Sequence, residues 1–120
     1  MSTRTRILVT GGRAYSDKER VFSTLDHYLA AYPPLLIIQG GAKGADALAA
    51  EWAQRREVPC LTHYASWGAL RRAAGMIRNR EMAEEWTPRI VIAFPGGTGT
   101  NGMVGIAEEL SIPVQDMRHA

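Results

Sequence analysis

Short, continuous apolar runs alternate along the chain with longer segments in which apolar residues recur every three or four positions. The continuous runs are typical of parallel strands covered on both faces, whereas the longer period is typical of amphipathic helices. Ser16 or Asp17 can cap the first helix, and Pro33 and Pro34 end it. The pattern predicts strands over residues 7–9, 35–38, 59–63, 89–94 and 112–115, with helices between them, the third over about residues 70–85.

The alternation of strands and helices, with short connections, predicts right-handed βαβ units. Such units build a three-layer α/β/α architecture, in which a mostly parallel sheet of about five strands is covered by helices on both faces. The 120 residues correspond to a single domain over residues 1–120. We expect the last strand to lie at an edge of the sheet and residues 117–120 to form a frayed tail.

Composition narrows the class of protein. Hydrophobic residues make up 46% of the chain and charged residues 22%, which is typical of a globular domain and argues against disorder. The longest strongly apolar stretch covers residues 35–38, far short of the ~20 residues of a membrane-spanning helix. No signal peptide is visible, and the single Cys60 cannot form an internal disulfide, so we expect a cytoplasmic location. Because Cys60 lies in a predicted strand, we expect its thiol to be buried and inert.

The charge balance is mildly basic, with a net charge of +2 and an isoelectric point near 9.0. This suits an anionic ligand, but the charges are dispersed, so we do not expect nucleic acid as the partner. His27, His63 and His119 have no metal-ligand spacing with Cys60 or with each other. We therefore expect no metal site and no resident cofactor.

The candidate chemistry lies in glycine-rich turns. In a parallel sheet, ligands bind outside the carboxyl ends of the strands, and the helix that follows each turn presents unpaired N–H groups that suit phosphate. One such turn is unremarkable, because any tight turn can use glycine, but three on one edge favour a phosphate-bearing ligand. The turns contain Gly11, Gly12 and Arg13; Gly40, Gly41, Ala42, Gly44 and Asp46; and Pro95, Gly96, Gly97, Thr98, Gly99 and Thr100.

Residues 97–102 formally fit the G-x-G-x-x-G pattern of dinucleotide-binding sites. They follow the fourth strand rather than the first, and too few residues remain for a second strand with an acidic ribose ligand. We interpret this match as coincidental. The chain also lacks the G-x-x-x-x-G-K-[ST] motif, so we do not expect P-loop chemistry.

The third predicted helix carries a second signal. Arg71, Gly75, Arg78 and Met82 fall on one face, with Asn79 beside them. In one interpretation Gly75 admits a ligand or a close backbone while Arg78 and Asn79 point into the cleft. In the other this is a solvated basic face with a helix contact at Gly75, and the spacing leaves both open. Similarly, Trp67 either stacks on a base or covers the sheet edge, and Asp46 either complements the helix dipole or contacts a ribose or base.

The combined motifs resemble a known family. Their order is similar to that of the YspA/YpsA-related SLOG family, small bacterial and phage proteins, over about residues 6–114. The resemblance implies a Rossmann-like fold, a nucleotide or nucleotide-derived ligand and self-association into homo-oligomers. The residues that carry it are Gly11, Gly12, Arg13, Tyr15 and Asp17; Gly40, Gly41, Ala42, Gly44, Ala45 and Asp46, running into Trp52 and Ala53; Trp67, Gly75, Arg78, Asn79 and Met82; and Gly96, Gly97, Gly99 and Thr100.

The wider superfamily includes the cytokinin-activating phosphoribohydrolases, with the signature P-G-G-x-G-T-x-x-E. Residues 95–100 fit this signature, and Arg78 resembles that family's catalytic arginine, but Met103 stands where the catalytic glutamate belongs. Cleavage of an N-glycosidic bond normally needs a carboxylate near the oxocarbenium-like centre. Asp46 or a glutamate from a partner subunit would have to replace it.

Three functions follow, in order of preference. The first is a binding module in which the glycine turns hold a nucleotide phosphate and Arg13 and Arg78 neutralise it. The second is an N-glycosidic phosphoribohydrolase acting on nucleoside monophosphates, with Arg78 as a catalytic residue. The third, and weakest, is binding of single-stranded nucleic acid through Arg71, Arg72, Arg78 and Arg80 with Trp67.

Overall fold

The computed structural model describes residues 3–65 and 73–119. Within these ranges, five parallel strands form one sheet in the order β3-β2-β1-β4-β5. The α/β fold class expected from the sequence is confirmed. The strands are β1 (Thr5–Thr10), β2 (Leu35–Gln39), β3 (Cys60–Thr62), β4 (Ile90–Ala93) and β5 (Val114–Asp116); the helices are α1 (Lys18–Ala31), α2 (Ala45–Arg55), α3 (Ala73–Trp86) and α4 (Thr98–Glu109).

The sheet has a hydrophobic core on each face, because alternate side chains of a strand point to opposite sides. In β1, Ile7 and Val9 pack in the core beneath α1 and α2, whereas Leu8 packs in the core beneath α3 and α4. All three side chains are almost completely buried. Burial on both faces is the reason that these strands read as continuous apolar runs rather than as alternating patterns.

The chain topology places a cleft next to β1. This central strand pairs with β2 on one side and with β4 on the other. The chain therefore adds β2 and β3 on one side of β1, and then β4 and β5 on the opposite side. Ligands in open parallel sheets bind at such a switch point, outside the carboxyl ends of the strands. The turns after β1, β2 and β4 are the three glycine-rich turns identified in the sequence.

Two local expectations are wrong. Residues 117 and 118 are not frayed, because the Met117 N–H donates to the Ala93 carbonyl at 2.8 Å and extends the ladder of the edge strand β5. Arg118 also donates from Nη1 to Asn101 Oδ1 at 2.9 Å. Cys60 lies in a strand as expected, but it is exposed rather than buried, because β3 is a short edge strand. Within the described ranges, no helix is both long and apolar enough to cross a membrane.

Candidate functional site

A cavity of about 470 Å³ opens at the carboxyl edge of β1, β2 and β4 and is bounded on one side by α3. It brings together residues from all three glycine-rich turns and from the arginine helix. The residues of the lining that the sequence predicted for the site are Gly11, Gly12, Arg13, Gly40, Gly41, Ala42, Asp46, Arg78, Asn79, Gly97, Thr98, Gly99 and Thr100. Whether these residues bind a ligand stays a prediction.

Other predicted site residues lie outside this lining. The Tyr15 ring stacks on Phe94 with a centroid separation of 5.5 Å, beneath the turns rather than in the cavity. Pro95 accepts a hydrogen bond from the Gly12 N–H at 2.8 Å and so joins the first turn to the third. Trp67, Arg71 and Arg72 lie outside the described residues.

Gly44 and Gly96 support the turns from behind the lining. Gly44 has φ +74°, and a Cβ there would collide with the Gly12 carbonyl oxygen. A Cβ on Gly96 would lie 2.6 Å from the Gly12 nitrogen. The backbones of the three turns therefore approach one another more closely than any residue with a side chain would allow.

The second turn uses its own side chains to satisfy its backbone. Asp46 Oδ2 accepts hydrogen bonds from the N–H groups of Gly40 at 3.1 Å and Ala42 at 3.2 Å. Gln39 Oε1 accepts from the Gly41 N–H at 2.6 Å. These three N–H groups are therefore already bonded within the turn. Whether other groups of this turn contact a ligand stays a prediction.

The third turn differs, because its donors remain open. Gly97 caps α4 without a side-chain hydrogen bond, and the first residues of a helix have no intrahelical acceptor for their N–H groups. Among the described residues, none accepts a hydrogen bond from the N–H of Thr98, Gly99 or Thr100. These groups carry the positive end of the α4 dipole and line the cavity.

Arg78 and Asn79 point into the cleft and connect two of the turns. Arg78 donates from Nη1 to the Gly40 carbonyl at 2.7 Å and from Nε to Asn79 Oδ1 at 3.0 Å. Asn79, which is 4% exposed, donates from Nδ2 to the Gly99 carbonyl at 3.1 Å. The cleft orientation, one of the two left open by the spacing, is therefore the observed one for these side chains.

The charged groups of the lining influence one another. Burial raises the pKa of Asp46, although the Ala42 and Gly40 N–H groups and the charges of Arg78 and Arg13 oppose that rise. Burial lowers the pKa of Arg78, while Asp46 raises it and Arg13 lowers it further. An arginine starts from a pKa so high that Arg78 stays protonated at neutral pH. The cavity thus combines two cations with one buried carboxyl group.

The sequence reasoning missed three lining residues: Thr10, Tyr64 and Met76. Tyr64 is 72% exposed, and its ring lies against Gly41. Its position just after β3 was a usable signal, because strand ends meet at the ligand edge. Met76 packs against Gly102 of α4, and no pattern in the sequence indicated that contact.

Met103 does not reach the cavity. Its side chain is completely buried in the core between the sheet and the pair α3–α4, near Leu8 and Met82. Asp46 is therefore the one acidic residue in the lining among the residues that the structure describes. In the same part of the chain, no cluster of three or more His, Cys, Asp or Glu residues is arranged to hold a metal ion.

Two sequence comparisons identify relatives of this chain. Residues 5–69 match the model of the YspA, cpYpsA-related SLOG family. A curated relative, the gene 61 protein of Mycobacterium phage D29, is 36% identical over 91% of this chain and 93% of that protein.

Two solved structures have a similar fold. DNA processing protein A from Streptococcus pneumoniae has a TM-score of 0.76 and 19% identity over 94% of this chain, which spans only 50% of that protein. The Moco carrier protein from Chlamydomonas reinhardtii has a TM-score of 0.71 and 18% identity, with 97% of this chain and 77% of that one covered. At these identities the likeness concerns the fold alone.

Proposed function

The chain belongs to the YspA, cpYpsA-related SLOG family, and from that premise we propose that its cavity binds the phosphate group of a nucleotide or nucleotide-derived ligand. One observation carries the proposal: the open N-terminus of α4 faces the same cavity as Arg13 and Arg78. Charge-assisted hydrogen bonds from arginine and backbone N–H groups at a helix start are the usual protein environment of phosphate.

Arg78 is the arginine best placed for this role. Its bonds to the Gly40 carbonyl and to Asn79 use Nη1 and Nε and hold the guanidinium plane in place. Among the described residues, no acceptor bonds Nη2. A guanidinium that is already positioned loses little side-chain entropy when it binds a phosphate oxygen.

The cavity also suits the remainder of a nucleotide. Its volume of about 470 Å³ lies within the usual range for small-molecule sites, roughly 300–1,000 Å³. Tyr64 presents an exposed aromatic ring at the rim, on which a base can stack. Stacking on a base is one of the two roles that the sequence left open for Trp67.

A second candidate function is cleavage of the N-glycosidic bond of a nucleoside monophosphate. The observation in its favour is that Asp46, a carboxyl group whose pKa burial raises, lines the same cavity as Arg78. Against it, Asp46 Oδ2 is bonded to the second turn, and Met103 is in the core. For single-stranded nucleic acid, no described contact adds support, because Arg80 is paired with Glu84 and Glu109.

The test compares two arginines of one helix. Arg78→Ala removes the cation in the cavity, whereas Arg80→Ala removes an exposed cation that is paired with glutamates and lies outside the lining. The wild type and both variants are titrated calorimetrically with nucleoside monophosphates, NAD and ADP-ribose, and each mixture is analysed by mass spectrometry.

We expect Arg78→Ala to weaken binding at least about tenfold, because a hydrogen bond to a charged group contributes roughly 1.5–3 kcal/mol. Arg80→Ala should change the affinity less than about twofold. Equal affinities for the wild type and Arg78→Ala would overturn the proposal. Free base that appears with the wild type but not with Arg78→Ala would identify the hydrolase instead.

A further inference from the structure

The two carboxyl oxygens of Asp46 have different surroundings. Oδ2 accepts from the N–H groups of Gly40 and Ala42, whereas Oδ1 has no hydrogen-bond partner among the described residues. The side chain is only 6% exposed and lines the cavity. Tyr15 Oη is the one fully enclosed side-chain polar atom without a partner in the described part of the chain, so Oδ1 retains access to the cavity.

A ligand that fills the cavity displaces water from Oδ1. Leaving this acceptor unsatisfied in the complex would then cost roughly 1–3 kcal/mol or more, so a ligand that supplies a donor avoids this cost. The phosphate itself cannot satisfy Oδ1, because both groups are acceptors and both carry negative charge. The donor must come from another part of the ligand.

The strand order indicates which part. Along the edge of the sheet the order is β4, β1, β2, β3, and the corresponding cavity residues are the α4 N-terminus, Arg13, Asp46 and Tyr64. Neighbouring strands lie about 4.8 Å apart, so the ends of β4 and β2 are about 10 Å apart. In this order Asp46 lies between the open N-terminus of α4 and the aromatic ring, as the sugar of a nucleotide lies between phosphate and base. Arg78 reaches the same turn as Asp46, where it bonds the Gly40 carbonyl.

We propose that Asp46 Oδ1 accepts a hydrogen bond from a sugar hydroxyl of the ligand, and that the site thereby selects ribose over its deoxy forms. This inference rests on the proposed phosphate-binding function. In this proposal Asp46 Oδ2 stabilises the second turn, and Oδ1 bonds the sugar hydroxyl.

Asp46→Asn separates these tasks. The N–H groups of Gly40 and Ala42 can only donate, so the amide oxygen must replace Oδ2, and the NH₂ group then replaces Oδ1 in the cavity. The turn keeps its bonds, while the cavity-facing acceptor becomes a donor.

The experiment measures calorimetric affinities for nucleoside 5′-monophosphates and their 2′,3′-dideoxy forms. The wild type should bind the ribo form at least about tenfold more tightly than the dideoxy form, since one hydrogen bond to a charged group contributes that much. In Asp46→Asn this ratio should fall well below the wild-type value, because the hydroxyl can then only accept a neutral amide hydrogen bond in place of a charge-assisted one.

Each failure has its own signature. If the wild type binds both sugar forms equally, the hydroxyl assignment is overturned, whatever happens to the variant. A preference that follows the base rather than the sugar would place the donor on the base and also reject the proposal. If no nucleotide binds and Arg78→Ala changes nothing, the phosphate-binding function itself has failed.

Discussion

Replacing Met103 by glutamate would restore the missing position of the phosphoribohydrolase signature, and the structure predicts that this change destabilises the protein instead of creating activity. Met103 is completely buried in an apolar core beside Leu8 and Met82. Neither residue can pair with a carboxylate. The new side chain would have to ionise without a partner or take up a proton.

The loss in free energy of unfolding can be worked out from these two options. Full burial shifts a carboxyl pKa upward by up to 3–5 units, so the buried glutamate stays protonated at pH 7. In the unfolded chain its pKa is about 4.3, so keeping it protonated at pH 7 costs about 4 kcal/mol relative to the unfolded chain. The neutral carboxyl group without hydrogen bonds adds roughly 1–3 kcal/mol. The sum, about 5–7 kcal/mol, approaches the whole free energy of unfolding of a typical domain, about 5–15 kcal/mol.

Urea unfolding of Met103→Glu, with Met103→Leu as the volume-conserving control, measures this effect. The leucine variant should lose less than about 1.5 kcal/mol. The glutamate variant should lose at least about 4 kcal/mol at pH 7 and less at pH 5, where protonation costs less. A glutamate variant that unfolds at the wild-type urea concentration and releases free base from nucleoside monophosphates would refute the core placement of this side chain.

Two further predictions concern stability. Gly44→Ala should lower the free energy of unfolding by at least about 2 kcal/mol, because φ is +74° and the new Cβ meets the Gly12 carbonyl. The control Gly97→Ala has open space around its Cβ and should change the free energy of unfolding by less than about 1 kcal/mol. Equal thermal midpoints for the two variants would contradict this prediction. Burial raises the pKa of Asp46 above 3.8 in the folded state, so the folded protein holds this proton more tightly than the unfolded chain. The free energy of unfolding of the wild type, measured relative to Asp46→Asn, should therefore fall as the pH rises from 3.8 through the raised pKa and then level off; a rise over that interval would contradict the sign.

The sequence predicted the parallel sheet because the pattern that marks each strand lies within a few consecutive residues. Ile7 to Val9 form a continuous apolar run, which is typical of a strand buried on both faces. The sequence also narrowed the cap of the first helix to Ser16 or Asp17. The structure decides for Asp17, whose side chain bonds the Arg20 N–H. The exposure of Cys60 was not readable, because the pattern does not give the position of β3 at the edge.

For the candidate site, the sequence by itself determined which turns meet at the ligand edge, since parallel strands bring their carboxyl ends together. The tertiary structure decided which donors remain available there. Gln39 and Asp46 satisfy the N–H groups of Gly40, Gly41 and Ala42 in the second turn, whereas the start of α4 keeps its N–H groups open. A glycine pattern records where a backbone can approach a ligand, but whether its N–H groups are already bonded depends on side chains that the fold brings to them.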